Sequence, residues 1–146
     1  MLFRAIPGLA LVGALVVLAG CASQPPDVPA NVRIAGDLAS SSPLPSPFKR
    51  APTAAPEVIA MRFTSLDVKR GERWAGEFVT GSNVASIEVR TNLFSIDVPR
   101  IAYGRFAFSL DVLDMPPIFV RKYALRVIAR NTAGIETEED LPFEIR

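Results

Sequence analysis

Between Val58 and Arg146 apolar residues recur at every second position in short runs, and this period limits the available folds more than any other feature of the chain. Ile59, Met61 and Phe63 alternate with Arg62 and Thr64, Asp67 to Gly71 turns the chain, and Trp74 and Phe78 mark a second run. After a turn at Thr80-Gly81-Ser82-Asn83, Ala85, Ile87, Val89 and Thr91 fall on one side while Ser86, Glu88 and Arg90 fall on the other. Phe94, Ile96 and Val98 form the next stripe, followed by Phe106, Phe108 and Leu110, by Tyr123, Leu125, Val127 and Ala129, and by Leu141, Phe143 and Ile145. Side chains two apart share one face of a strand, and no helical run separates the stripes. The pattern predicts an all-β fold, a single antiparallel β-sandwich of about seven strands over 58–146.

The N-terminus follows a different rule. Met1-Leu2-Phe3-Arg4 is a short positive segment, and Ala5 to Ala19 is apolar apart from Pro7-Gly8 and Gly13. That is the layout of a secretory signal. The run is shorter than the roughly 20 residues needed to span a bilayer core, and it ends in Leu18-Ala19-Gly20-Cys21, which contains the only cysteine. These four residues resemble the lipobox of bacterial lipoproteins. The resemblance implies cleavage before Cys21, a thioether-linked lipid on Cys21 and a membrane anchor, with residues 1–20 removed. Several acyl chains give stable anchoring where one does not. Ala22, not being Asp, implies an outer-membrane address by the same resemblance.

Residues 21–57 are expected to form a flexible linker. They hold Pro25, Pro26, Pro29, Pro43, Pro45, Pro47, Pro52 and Pro56 together with Ser40-Ser41-Ser42, and few large apolar residues. Such a composition buries little surface, and at about 3.1 Å per residue a polyproline-like segment of this length extends on the order of 100 Å. Val32 and Ile34 hint at a short extended piece within it. With Arg4 gone, Lys and Arg equal Asp and Glu in number, so the basic footprint of a nucleic-acid binder is missing. No cysteine remains for a disulfide, and the chain has no histidine, which excludes Ser-His-Asp and Cys-His catalysis and the commonest zinc ligand sets. No cofactor is expected beyond the covalent lipid.

Gly104-Arg105-Phe106-Ala107-Phe108, followed by Tyr123 to Ala129 and the Arg130-Asn131-Thr132-Ala133-Gly134 turn, resembles part of a bacterial immunoglobulin-like domain. In that resemblance Tyr123 takes the place of a tyrosine-corner residue. The implied fold is an immunoglobulin-like sandwich without the intersheet disulfide of antibody domains, with Trp74 on the second strand instead of the third. The fold specifies architecture far better than activity.

Three patterns that suggest chemistry dissolve on inspection. Ser46-Pro47-Phe48-Lys49 matches S-x-x-K, but that chemistry needs the serine at a helix start and two partner motifs the chain does not contain. Glu136, Glu138, Glu139 and Asp140 are a carboxylate run without the turn glycine and alternation of a calcium loop. Asp111 and Asp114 have no second convergent group.

Two surfaces remain as partner-binding candidates. Met115-Pro116-Pro117-Ile118-Phe119-Val120 places Met115, Ile118, Phe119 and Val120 in a connection, where they either form an exposed apolar patch or plug the end of the sandwich. Glu88, Arg90, Lys122, Arg126, Arg130, Glu144 and Arg146 should share an outer sheet face, with Arg126 and Arg130 at its centre. The function expected from all this is that of a membrane-anchored envelope lipoprotein acting without catalysis as a protein-interaction, adhesion or scaffold module. The alternatives are a carbohydrate-binding or accessory domain of an envelope hydrolase, and an accessory lipoprotein of a secretion or surface-assembly machine.

Overall fold

The computed structural model describes residues 26–113 and 116–146. The signal segment, Cys21, Asp114 and Met115 lie outside the described residues. Ten strands are present among the described residues: β1 (Val32–Ile34), β2 (Val58–Phe63), β3 (Asp67–Val68), β4 (Arg73–Thr80), β5 (Val84–Arg90), β6 (Ser95–Val98), β7 (Arg100–Ala102), β8 (Arg105–Asp111), β9 (Arg121–Asn131) and β10 (Glu136–Ile145). They form two five-stranded sheets, ordered β1-β2-β4-β8-β7 and β3-β10-β9-β5-β6.

The alternating stripes fill the space between the sheets. Met61, Phe63, Trp74, Phe78, Ile87, Val89, Phe106, Leu125, Val127, Leu141 and Ile145 are all buried there. Trp74 organises one end of this core, stacked 6.0 Å from Phe63 and packed edgewise 4.8 Å from Phe108, with Phe143 at 4.9 Å. Its indole N–H donates to the Ser65 carbonyl at 2.9 Å, so the one polar atom of a large buried ring is satisfied. Gly76 makes this density possible. A Cβ there would sit 2.6 Å from Phe108 Cε1 and 3.0 Å from Phe63 Cδ1.

Several expectations about the strands are corrected. The strands number about ten instead of seven, because β1, β3 and β7 have only two or three residues each and are too short to show a period. The sandwich is also not purely antiparallel: β1 pairs in parallel with β2 and β3 in parallel with β10. In β5 the register shifts between Val84 and Ser86. This bulge exposes Ala85 and buries Val84, which inverts the facing expected for the start of that strand.

The largest correction concerns the linker expected over 21–57. From Pro26 onward these residues are laid against the sandwich as a strap. Val32 to Ile34 forms β1, and Leu44 is buried with Ala60 and Val79 on the outer side of the first sheet. A proline-rich strand can offer carbonyls but few N–H groups, and the sandwich supplies the donors. Arg62 donates to Ser42 O at 2.6 Å, Arg105 to Pro45 O at 3.2 Å, Asn83 to Ala54 O at 2.7 Å and Asn131 to Ala54 O at 3.0 Å. The Ser46 to Lys49 stretch lies in this strap without helical structure. Gly104 adopts φ +60°, and a Cβ at that position would stand 2.5 Å from Pro47 Cβ; glycine serves there both the backbone conformation and the close approach of the strap.

Candidate functional site

The outer face of the second sheet gathers the charged residues in cross-strand rows. Arg130 lies opposite Ser86 and Glu136, and Arg126 opposite Arg90 and Asp140. Arg126 donates to Asp140 at 2.8 Å and also meets Glu138 at 3.2 Å. Arg130 bridges Glu136 at 2.5 Å and Glu88 at 2.7 Å. Both guanidinium groups have pKa values raised above the ordinary arginine value by these hydrogen bonds, Asp140 acting first on Arg126 and Glu136 first on Arg130.

Glu88 is the hub of the face. Its side chain is 7% exposed, and it accepts from Ser95 Oγ at 2.5 Å, Arg90 Nε at 2.7 Å and Arg130 Nη1 at 2.7 Å. The Ser95 hydroxyl and then the Arg130 guanidinium hold its carboxyl down to about 2. Ile128, between Arg126 and Arg130 on β9, is buried at 1% exposure and lies in register with Glu88 and Glu138. The Arg126 and Arg130 face expected from the sequence is therefore assembled, and its central arginines already have carboxylate partners. A charge that is already paired on its own sheet has less to offer an anionic ligand.

The connection between β8 and β9 carries the other candidate. Pro117 to Phe119 makes one 3-10 turn, Ile118 is 75% exposed and Val120 39%, and Phe119 is half-buried. Tyr123, buried at the start of β9, donates its hydroxyl to Phe119 O at 2.7 Å. That bond pins the loop by its backbone and leaves the two apolar side chains in solvent, so Ile118 and Val120 do not plug the sandwich.

A third surface was not found from the sequence. Ile101 on β7 and Tyr103 in the β7–β8 turn are each 63% exposed, and Phe48 on the neighbouring strap is exposed too. Pro47 and Gly104, in contact, bring Phe48 and Tyr103 to the same end of the sandwich. β7 is an edge strand of the first sheet. The signal was present in the sequence as Ile101 and Tyr103 two apart, but a run of three residues offers no period to read.

No group of His, Cys, Asp and Glu among the described residues is placed to hold a metal ion, and no helix among them is long and apolar enough to cross a membrane.

No protein-family model matches the chain, and no curated protein matches it. Among solved structures the chain is similar to a DUF4785 family protein from Legionella pneumophila, at TM-score 0.47 and 11% identity over 58% of this chain. The match spans 27% of that protein's chain. It is also similar to fibronectin(III)-like modules of CbhA from Clostridium thermocellum, at TM-score 0.41 and 15% identity, covering 54% of this chain and 82% of that one. A superoxide reductase (neelaredoxin) from Ignicoccus hospitalis matches at TM-score 0.38 and 13% identity, covering 64% of this chain and 81% of that one.

Proposed function

We propose that this chain is a lipid-anchored envelope lipoprotein whose β-sandwich, of immunoglobulin-like type, serves as a non-catalytic protein-interaction module. The Leu18-Ala19-Gly20-Cys21 sequence supports the anchor, and the bond from Tyr123 to Phe119 O supports the immunoglobulin-like reading, since a tyrosine corner is built in that way. The observation that carries the interaction role is the 63% exposure of both Ile101 and Tyr103 beside an edge strand. Edge strands with exposed apolar side chains invite pairing with another chain, and soluble proteins ordinarily guard against it. The partner of this reading is an envelope protein that adds a strand or an extended segment along β7.

The test is a photo-crosslinking residue at Ile101 in growing cells, with the adducts identified by mass spectrometry. One protein should be captured reproducibly, and Tyr103→Ala should reduce its yield several-fold without lowering the melting temperature. Adducts spread over many abundant proteins, unchanged by Tyr103→Ala, would remove the interaction role.

Carbohydrate binding is the second reading, and Tyr103 is the observation that favours it, because sugar sites use exposed aromatic platforms. Retention of the wild-type chain on cell-wall polysaccharide, lost in Tyr103→Ala, would select it over a protein partner.

A further inference from the structure

The strap places the start of the described chain at one particular end of the sandwich. Val32 N–H donates to Pro29 O, and this turn sends Pro26 to Val28 back beside β10, where they line a cleft with Asp67, Lys122, Tyr123 and Glu144. From Cys21 to Pro26 there are only five residue steps. At no more than about 3.6 Å each they reach roughly 18 Å, in place of the on-the-order-of 100 Å that a free linker from Cys21 to the sandwich would give. A lipid on Cys21 therefore holds this end, and not the Tyr103 end, against the bilayer.

The same end presents side chains suited to such a surface. Ile118 at 75%, Leu113 at 76% and Val120 at 39% exposure project from the β8–β9 connection, which Tyr123 ties by its hydroxyl to the wall of the Pro26 cleft. Next to them Arg121 lies over the Tyr123 ring at 5.2 Å, and Lys122 lines the same cleft. The Asp67 and Glu144 carboxylates that line the same cleft pair with Arg146 and not with these two cations. The opposite end also exposes apolar groups, so exposure alone would not choose between them; the position of Pro26, five residues from Cys21, does.

We infer that the end bearing Leu113, Ile118, Val120, Arg121 and Lys122 docks on the membrane surface, apolar side chains entering the headgroup layer and the two cations meeting anionic phospholipid. This inference rests on the lipoprotein reading and adds an orientation to it. So few side chains would hold a free chain only weakly. Anchored through Cys21, docking becomes intramolecular and benefits from the high local concentration a short link provides. The Ile101–Tyr103 surface is then turned away from the bilayer, because the seven-residue β8 separates the two ends by about 20 Å at 3.3 Å per residue.

Cys21 is the only cysteine, so the chain from Cys21 onward can be coupled to a maleimide phospholipid in vesicles of phosphatidylethanolamine with a minority of phosphatidylglycerol. Ile118→Trp and Tyr103→Trp each add an exposed indole, with buried Trp74 as a common background. With bromine-labelled acyl chains, Ile118→Trp should be quenched several-fold more than Tyr103→Trp, and replacing phosphatidylglycerol by phosphatidylcholine should reduce the difference. Val120→Trp is the second probe should Ile118→Trp melt early. Equal quenching, or stronger quenching of Tyr103→Trp, overturns the orientation. So does capture of a protein from an Ile118 photo-crosslinker in cells combined with no quenching in vesicles. Fatty-acid labelling of Cys21 in cells is read separately. Label on Cys21 without quenching of Ile118→Trp sinks the docking alone, whereas an unlabelled Cys21 sinks the anchor and, with it, the docking in cells.

Discussion

Arg62 donates from Nη1 to the carbonyl oxygen of Ser42 at 2.6 Å and from Nη2 to Glu77, so one buried guanidinium fastens the proline-rich strap to the first sheet. The pair shows how a segment with no ladder of its own is held. β2 and β4 each carry apolar groups on both faces, with Ala60 and Val79 turned outward beneath Leu44, and Arg62 satisfies the carbonyl that passes over them. Leu44→Ala should cost about 2 kcal/mol, the low end for a buried leucine, since its cluster is small. Urea unfolding measures the cost. Amide exchange should show the strap amides that bond to the sandwich, such as Arg50 to Ser82 Oγ, losing protection before those of β4.

Removing the Tyr123 hydroxyl should loosen the β8–β9 connection more than the core. Tyr123→Phe keeps the ring and loses one hydrogen bond to Phe119 O, a change worth about 1 kcal/mol. The expected signature is faster amide exchange at Phe119 and Val120, whose N–H groups bond to Pro116 O and Pro117 O, with β9 and β10 unaffected. Uniform loss of protection across both strands would show that the bond supports the whole sandwich.

Glu88 gives acid stability a contribution from a carboxylate covered by its own hydrogen-bond partners. Its pKa is depressed to about 2 from an ordinary value near 4.5, so the folded state favours the ionised form. The stabilisation is complete above about pH 4.5 and is lost as the pH falls toward about 2. Ser95→Ala removes the leading cause of the depression and should move the acid unfolding midpoint to higher pH. Glu88→Gln should flatten the stability profile across that window, as read by urea midpoints at successive pH values.

The sandwich was legible wherever a strand is long enough to repeat. β4, β8, β9 and β10 bury the alternating residues that the period selects, from Phe78 to Ile145. The period failed where the backbone changes register, as at Ala85, and where strands have two or three residues, as in β3 and β7. Composition misleads at the strap for a different reason. Composition measures what a segment can bury by itself, whereas Leu44 and the carbonyls of Ser42, Pro45 and Ala54 are held by Arg62, Arg105 and Asn83, far away in sequence. The continuous run Val58-Ile59-Ala60-Met61 carried a warning, because a strand apolar on both faces is covered on both. The charged face could be read from outward parity, but that Arg126 and Arg130 were already paired required the register of β10 against β9.

Gly76→Ala should destabilise despite being a small change on a strand, because the added methyl meets Phe108 at 2.6 Å and Phe63 at 3.0 Å. Overpacking of this kind costs about 1–3 kcal/mol. Gly36→Ala is the contrasting case, since nothing lies within 4 Å of its Cβ position, and its melting temperature should equal or exceed that of the parent.

Reversing charge at Arg126 and at Arg130 should have unequal consequences, although both residues lie on the same face of β9. Arg126 is 46% exposed, and its partners Glu138 and Asp140 are 45% and 41% exposed. Exposed pairs contribute roughly 0–1 kcal/mol, so Arg126→Glu should shift the urea midpoint little. Arg130 also neutralises Glu88, whose side chain is 7% exposed. Arg130→Glu would put a third carboxylate between Glu88 and Glu136 and leave the buried one to Arg90 and Ser95. Breaking a fully buried pair from one side costs about 3–5 kcal/mol, and this pair, on the outer sheet face with Arg130 29% exposed, should cost less than that but more than an exposed pair. Arg126→Glu is thus the variant with which to ask whether the face binds a partner, and Arg130→Glu the one that tests the hub. Equal losses of stability would show that Glu88 does not depend on Arg130 and that Ser95 and Arg90 suffice to hold its charge.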